Sequence, residues 1–500
     1  MRDKGSPGAW DVFHWMARSP LRAFVLIFAL SFVIRGALLF SGLLEAHVRP
    51  FHEIGHVAVS LARSGRFADP YKIPTGLTAH PTPIYAVVLG LIYRAFGVTV
   101  TAAYVRGLLA IVSFSALYAM LPWLALRLGL GVWAGVLGGL AGALIPQQGI
   151  LEIIGGSDQL FPGIALGLLA VAFLSRWTGG RDSTFRSLLL GIGCGVALHL
   201  SPPLLPVLLG WMAFEMVWRR DRRKRLFLAC LALGAIAACI PWAWRNYTAF
   251  HEYLFIRSNF GLELRLANHD GADADIDVTV AREPEFRHPS ASLEEARKVR
   301  DLGEAEYMRQ SKNEALNWIR RHPREFLLLT VQRIVYFWCG PLRRLPWTAA
   351  GITAVTIFAL LGLRRVLPAL TNPQRAVLLI PLAAFPLVYY VVSYVGHYRA
   401  PLEWMLLLLA ATEVWHWIKP KGALDSWEVP EAVQSTSTRV CGGMIGDKSP
   451  LHFLTRWACW NPGSSRGQAM ASHRVGVSAP MRRAEFLVRS CYRVKPPFCD

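Results

Sequence analysis

The sequence predicts an all-α protein that crosses a membrane about ten times. Three observations carry this. Apolar residues make up 53% of the 500 residues and charged residues only 17%, well under the roughly 25% typical of soluble domains. Mean hydropathy is +0.34. The basic excess, a net charge of +20, is gathered in short clusters between apolar runs, the pattern left by the positive-inside rule.

A membrane-spanning helix needs about 20 apolar residues. The candidate runs are Leu21–Leu44, Tyr104–Leu126, Val132–Ile150, Leu160–Leu174, Ser187–Leu200, Leu204–Val217, Leu226–Trp244, Trp347–Leu363, Ala376–Val395 and Leu402–Trp417. The first is too long for a cleavable signal and reads as a signal anchor. Two other stretches, Pro83–Phe96 and Phe326–Trp338, give roughly 21 Å of helix against a hydrocarbon core of ~30 Å. They are expected to lie at the interface. With both excluded, Arg127, Arg176, Arg181, Arg186, the 219–225 cluster, Arg364, Arg365, Lys419 and Lys421 fall on one side with Arg2, Lys4, Arg18 and Arg22. Both termini are then cytoplasmic. The 219–225 cluster reads as a cytoplasmic loop, so no nucleic-acid partner is expected.

This divides the chain into a cytoplasmic N-terminus (1–20), a membrane domain (21–420) with outer loops 45–103 and 245–346, and a tail (425–500) without sustained periodicity that reads as disordered. Arg245–Glu325 is the large outer insertion. Its part Leu293–Arg320 reads as one helix, started by a Ser292/Glu295 capping box and ended by Pro323. Asp270, Asp273, Asp275 and Asp277 lack an EF-hand closing acid, since Ala281 stands in its place; they read as a solvated acidic loop. The eight cysteines show no C-x-x-C spacing and suggest neither a disulfide framework nor a thiolate metal site.

The sharpest motif is His52-Glu53-Ile54-Gly55-His56. In zinc proteases, two His at this spacing hold the metal and the Glu activates water. A third ligand is required, and the sequence does not supply one in a known register. Val59 and Ala62 stand where a metzincin has Gly and His. Asp69 is the sole acid between Glu53 and Glu152. Asp270-Gly271 lies in a polar loop, and Asp158 is followed by Gln159. An intramembrane zinc protease stays an alternative, as does a transporter or flippase of lipid-linked sugars, which would show internal repeats that are not seen.

Other segments fit one pattern together. They are Gly65-Arg66-Phe67-Ala68-Asp69-Pro70-Tyr71, Thr75 to Tyr85, Tyr93-Arg94-Ala95-Phe96-Gly97, Pro241-Trp242-Ala243-Trp244-Arg245-Asn246-Tyr247, Arg257 to Leu264 with Asn268, Trp318 to Pro323, and His397-Tyr398-Arg399-Ala400-Pro401. In this order they resemble bacterial members of glycosyltransferase family 39, relatives of the protein O-mannosyltransferases and of the lipid A aminoarabinose transferase, in the GT-C class. The resemblance covers residues 20–420. It implies a multi-pass enzyme of the bacterial cytoplasmic membrane with its site on the outer, periplasmic face. Such an enzyme moves a sugar from a polyprenyl-phosphate carrier to an acceptor (protein, lipid or glycan), and is expected to invert the anomeric centre.

By that resemblance Glu53 is the catalytic base, although relatives carry Asp or Asp-Glu where this chain has His-Glu. The chemistry agrees: an acceptor hydroxyl needs one carboxylate within hydrogen-bond reach, and a lipid phosphate needs fixed cations, which Arg serves with a bidentate fork. Arg399, Arg245 and Tyr398 are the expected carrier-phosphate ligands. Further pocket candidates are His52, His56, His80, Tyr85, Asp158, Asn246 and His397. No cofactor is required, there is no Gly-rich nucleotide loop, and a divalent cation remains possible.

Overall fold

The computed structural model describes residues 15–16, 19–40, 53–145, 157–179, 183–219, 223–282 and 287–419, of which 157–160 are described in backbone alone. The 425–500 tail, His52 and Glu152 lie outside these residues. The described chain is helical and contains no strand beyond two isolated bridges. Among the described residues, five helices are long and apolar enough to cross a membrane: α1 (Pro20–Leu39), the continuous Val100–Leu128 formed by α4 (Val100–Ala119) and α5 (Leu121–Leu128), the Phe161–Thr178 part of α7 (Ser157–Thr178), α10 (Lys224–Phe250) and α16 (Pro346–Val366). Shorter apolar helices are α3 (Pro83–Phe96), α6 (Val132–Leu144), α8 (Thr184–Leu200) and Pro202–Trp218, whose α-helical part is α9 (Leu205–Trp218). The last two membrane-domain helices are α17 (Asn372–Ala384) and α18 (Ala400–Ile418).

Side-chain pairings fix the direction of the passes. Ser115 bonds Ser31 while Phe40 stacks on Tyr104, so α1 and α4 are antiparallel. Gly135 abuts Pro122 and Gly142 abuts Tyr118, so α6 turns back along α4 and α5. Gly191 faces Leu231 and Gly195 faces Ala235 and Ala238, so α8 and α10 are parallel, with α9 between them in sequence. Thr356, Gly362 and Arg365 meet Arg399, Leu409 and Glu413 in order, so α16 and α18 are parallel too. The described parts of the sequence-predicted runs fall on these helices, apart from the end of Ala376–Val395. Two basic residues near pass ends meet on one carboxylate: Arg176 chelates Glu215, and Arg219 reaches it at 3.7 Å.

At α8 and α10 the backbones touch. A Cβ on Gly191 would sit 2.0 Å from the Leu231 carbonyl oxygen, and one on Gly234 would sit 2.2 Å from that of Leu188. Gly191→Ala should therefore force the helices apart and cost about 1–3 kcal/mol. Gly351, with nothing within 4 Å of the added carbon, is the control. Thermal unfolding in detergent checks this; equal melting temperatures for the two variants would contradict the packing.

The buried Arg35 is structural. It donates to Ser31 Oγ at 2.9 Å and to the Ala143 and Gly142 carbonyls, both at 3.0 Å, with the Phe114 and Tyr118 rings 5.3 and 5.2 Å away. A charge inside a membrane helix is costly unless satisfied this way.

Three expectations are corrected. The single helix over Leu293–Arg320 is two, α13 (Leu293–Leu302) and α14 (Glu304–Arg321), between the short α11 (Phe260–Ala267) and α12 (Ile276–Arg282) upstream and α15 (Pro323–Cys339) downstream. The break is Gly303, at φ +82°, a conformation that favours glycine. Ser292 does cap α13 by accepting from Glu295 N, but the Glu295 carboxylate turns away to Arg265 and Tyr307, at 2.7 and 2.6 Å. Third, the run Ala376–Val395 is α-helical only to Ala384 and then 3₁₀ over Phe385–Tyr390. Pro386 has no N–H to continue the α ladder.

Between α2 (Glu53–Ser64) and α11 the chain makes an even set of passes: α4 with α5, α6, α7, α8, α9 and α10. The first loop and the insertion therefore meet at the same end, where Tyr71 packs with Leu262, Leu266, Ala296, Val299, Tyr307 and Met308. Passes α16 and α17 then return the chain there, and Asn268 bonds the Val391 carbonyl at 3.0 Å. Arg333 of α15 joins that junction through Asn268 Oδ1 at 3.1 Å.

Candidate active site

Glu53 opens α2, and its side chain is 23% exposed. The carboxylate accepts from Ser290 Oγ and has His288 Nε2 at 3.7 Å. His80 completes the group: one ligand-type atom from each of Glu53, His80 and His288 lies within 4.8 Å of the others. Tyr71 Oη lies 3.1 Å from His80 Nδ1, and its ring meets His80 and His288 edge-on. Residues from the first loop and from the insertion thus converge on one carboxylate.

The loop that carries His80 is clamped by charge. Asp69, at φ +58°, turns it by accepting from Thr75 N and Gly76 N at 3.0 and 2.9 Å. Arg245, at the end of α10, donates to the carbonyls of Thr78 and Phe67, both at 2.7 Å. The buried Glu304 accepts from Thr78 Oγ1, from Ala79 N at 2.7 Å and from Ser258 Oγ at 2.6 Å. Gly303 is what starts α14 at this carboxylate. Without Glu304, those buried donors would lose their acceptor.

Electrostatics follow from burial and neighbours. Burial alone would raise the Glu53 carboxyl. The His288 and His80 imidazoles and the Ser290 hydroxyl override it and hold the group below the ordinary carboxylate range. His80 is pushed down by burial first, partly restored by Glu53, and lowered again by Arg257 and His288. At neutral pH the pair is a carboxylate beside a neutral imidazole. Burial, and then the charges of Glu263 and Glu53 among others, lift the Tyr398 phenol well above its usual value while Arg257 opposes them.

Both shifted groups bind protons less readily folded than unfolded. Between the unfolded His80 value of 6.5 and its folded value of about 3, the unfolded chain holds the extra proton. Stability from this group is present above 6.5 and is lost as pH falls through that window, by up to ~1.4 kcal/mol per pH unit. His80→Asn should flatten the fall in melting temperature between pH 6.5 and 4.5; equal slopes in both proteins would contradict the burial of a neutral ring.

The Glu53–His80–His288 trio is the one group among the described residues with the spacing to hold a cation. The hydrogen bonding at His288 works against that use. Ser290 N–H donates to His288 Nδ1 at 3.0 Å, so the neutral ring carries its proton on Nε2, the nitrogen turned toward Glu53. A metal-bound imidazole has the reverse arrangement, with a bare nitrogen on the metal and N–H on the far side. His56 does not belong to the trio; it is half-buried, and burial lowers its pKa against the pull of Glu53. His52 lies outside the described residues, and His56 joins no group of metal-type ligands among them.

Arg399 is occupied elsewhere. Its Nε and Nη2 bond Glu403 at 2.7 and 3.3 Å, and its Nη1 bonds the Trp338 carbonyl and Thr356 Oγ1 at 3.0 and 2.7 Å. It stands 4% exposed, tying α15 and α16 to α18. Receiving a phosphate there would require giving up those partners. Arg245 is likewise spent on loop carbonyls. Asn246 holds the following turn through Leu254 O and Ile256 O. Tyr398 stacks on Tyr389 at 4.4 Å, with His397 edge-on to it at 5.0 Å. Tyr85 packs with Ala58, Leu89, Tyr93 and Ala102. The backbone of Asp158 lies in the first turn of α7, and its side chain is outside the described set.

Sequence reading missed Tyr71, His288, Ser290, Arg257 and Glu263. Tyr71, Arg257 and Glu263 do lie in segments that carry the family resemblance. His288 and Ser290 carry no motif, because their role comes from a contact across more than 200 positions.

No family model and no curated protein sequence matches the chain. Among solved structures it is similar to the Archaeoglobus fulgidus oligosaccharyltransferase tethered to an acceptor peptide with the NVT sequon (TM-score 0.47, 14% identity, 87% of this chain and 53% of that one). It is also similar to ArnT from Cupriavidus metallidurans bound to undecaprenyl phosphate (TM-score 0.30, 13% identity, 78% of this chain and 77% of that one). The chain spans about half the length of the oligosaccharyltransferase.

Proposed function

We propose that this protein is a multi-pass membrane glycosyltransferase that moves a sugar from a polyprenyl-phosphate carrier to an acceptor at the outer membrane surface, with inversion. The observation that carries the reading is the Glu53 carboxylate, held ionised where first loop and insertion meet at the end of the bundle opposite the basic clusters. The acceptor hydroxyl attacks the anomeric carbon, its proton passes to Glu53, and the bond from that carbon to the carrier phosphate breaks with its electron pair on the phosphate. His288 and Ser290 hold the carboxylate in place, and His80 stays neutral beside it. A carboxylate with a lowered pKa is a weak base, so proton transfer comes late, as C–O bond formation acidifies the hydroxyl. The test is transfer of labelled sugar from a polyprenyl-phosphate donor by the purified protein. Absence of transfer to lipid, glycan and peptide acceptors alike would count against the reading.

A further inference from the structure

We propose that Arg257 is the cation that receives the carrier's phosphate. This rests on the glycosyltransfer reading and names the residue that binds the donor. Arg257 is half-buried, and its backbone is fixed on both sides. Ile256 is buried, its carbonyl taken by Trp242 Nε1 at 2.9 Å and by Asn246 at 3.4 Å. Ser258 is pinned through N to the Ala79 carbonyl at 3.1 Å and through Oγ to Glu304 at 2.6 Å. The guanidinium is aimed by one bond, Nε to the His80 carbonyl at 2.7 Å. Its two terminal nitrogens bond nothing among the described residues. An arginine held by Nε with its fork unspent presents parallel N–H donors matched to phosphate oxygens.

Its position suits the chemistry. It grips the residue whose ring lies against Glu53, and its charge is felt by both His80 and Tyr398. The geometric link to Glu53 runs through His80, whose carbonyl Arg257 holds and whose ring nitrogen lies within 4.8 Å of that carboxylate. Arg399 and Arg245, by contrast, have their donors bonded to Glu403, Thr356 and backbone carbonyls. Of these three arginines, Arg257 is the one whose terminal nitrogens are left for an incoming anion.

The test uses the full chain in nanodiscs of zwitterionic lipid. A polyprenyl phosphate and the uncharged polyprenol of the same length are the probes. The wild type should prefer the phosphate, and Arg257→Gln should lose roughly ten- to a hundredfold of that preference, the worth of a charge-assisted hydrogen bond; Arg257→Lys should keep part of it. Undiminished preference in Arg257→Gln, with the wild type selective, overturns the assignment. No preference in the wild type instead overturns the glycosyltransfer reading itself. A second measurement needs no variant: phenylglyoxal labelling of the wild type, mapped by mass spectrometry. Arg257 should be modified faster than Arg399 and be protected by polyprenyl phosphate but not polyprenol. Protection of Arg399 instead, or equal protection by inorganic phosphate alone, overturns the proposal.

Discussion

Glu53→Gln should reduce sugar transfer by roughly 10²- to 10⁴-fold, the usual contribution of one positioned proton acceptor. The amide keeps the size of the side chain and can still accept from Ser290 Oγ, so the fold should persist. It loses the negative charge and the capacity to take a proton. Binding of the carrier phosphate should survive, since no phosphate contact is assigned to Glu53. The measurement is kcat and KM for transfer together with carrier affinity. Transfer within threefold of wild type would remove Glu53 from the chemistry. Because its pKa is held low, the Glu53-dependent rate should also be flat across neutral pH. A rise through the ordinary His range would have to be assigned to another group.

Arg399→Ala should be among the most destabilising changes in the membrane domain, about 3–5 kcal/mol, because it strands a charge. Glu403, 13% exposed, would keep its charge without its partner, and Thr356 and the Trp338 carbonyl would lose a donor. Replacing both members of the pair, as in Arg399→Met with Glu403→Leu, should recover most of the stability, since apolar isosteres often match a buried ion pair. The same double variant separates position from chemistry. If Arg399 only ties α15 and α16 to α18, transfer returns with the fold. If it grips the carrier phosphate, the double variant melts like the wild type yet stays inactive.

Much of the fold was legible because it is written in one dimension. Length and hydropathy of each apolar run locate the passes, and basic clusters orient them. Local stereochemistry was harder. Gly303 divides a helix whose polar sequence reads as continuous, and Pro386 converts a run's end to 3₁₀. The candidate site was only half legible. Glu53 and His80 come from a motif-bearing loop, but their partners His288 and Ser290 come from an unpatterned stretch. The arginines show the limit most clearly. Sequence places Arg399, Arg245 and Arg257 alike near the same end of the bundle. Which of them is spent depends on Glu403, Thr356 and two loop carbonyls, partners up to 178 positions distant.

The central claim is a single outer pocket in which Arg257 and Glu53 serve one lipid-borne phosphosugar. A cryo-electron microscopy structure of the full protein with polyprenyl phosphate tests it most directly. The account predicts the phosphate on the terminal nitrogens of Arg257, beside Glu53, with the Arg399–Glu403 pair intact. A phosphate seated on Arg399, or a metal ion ligated by Glu53, His80 and His288, would contradict it.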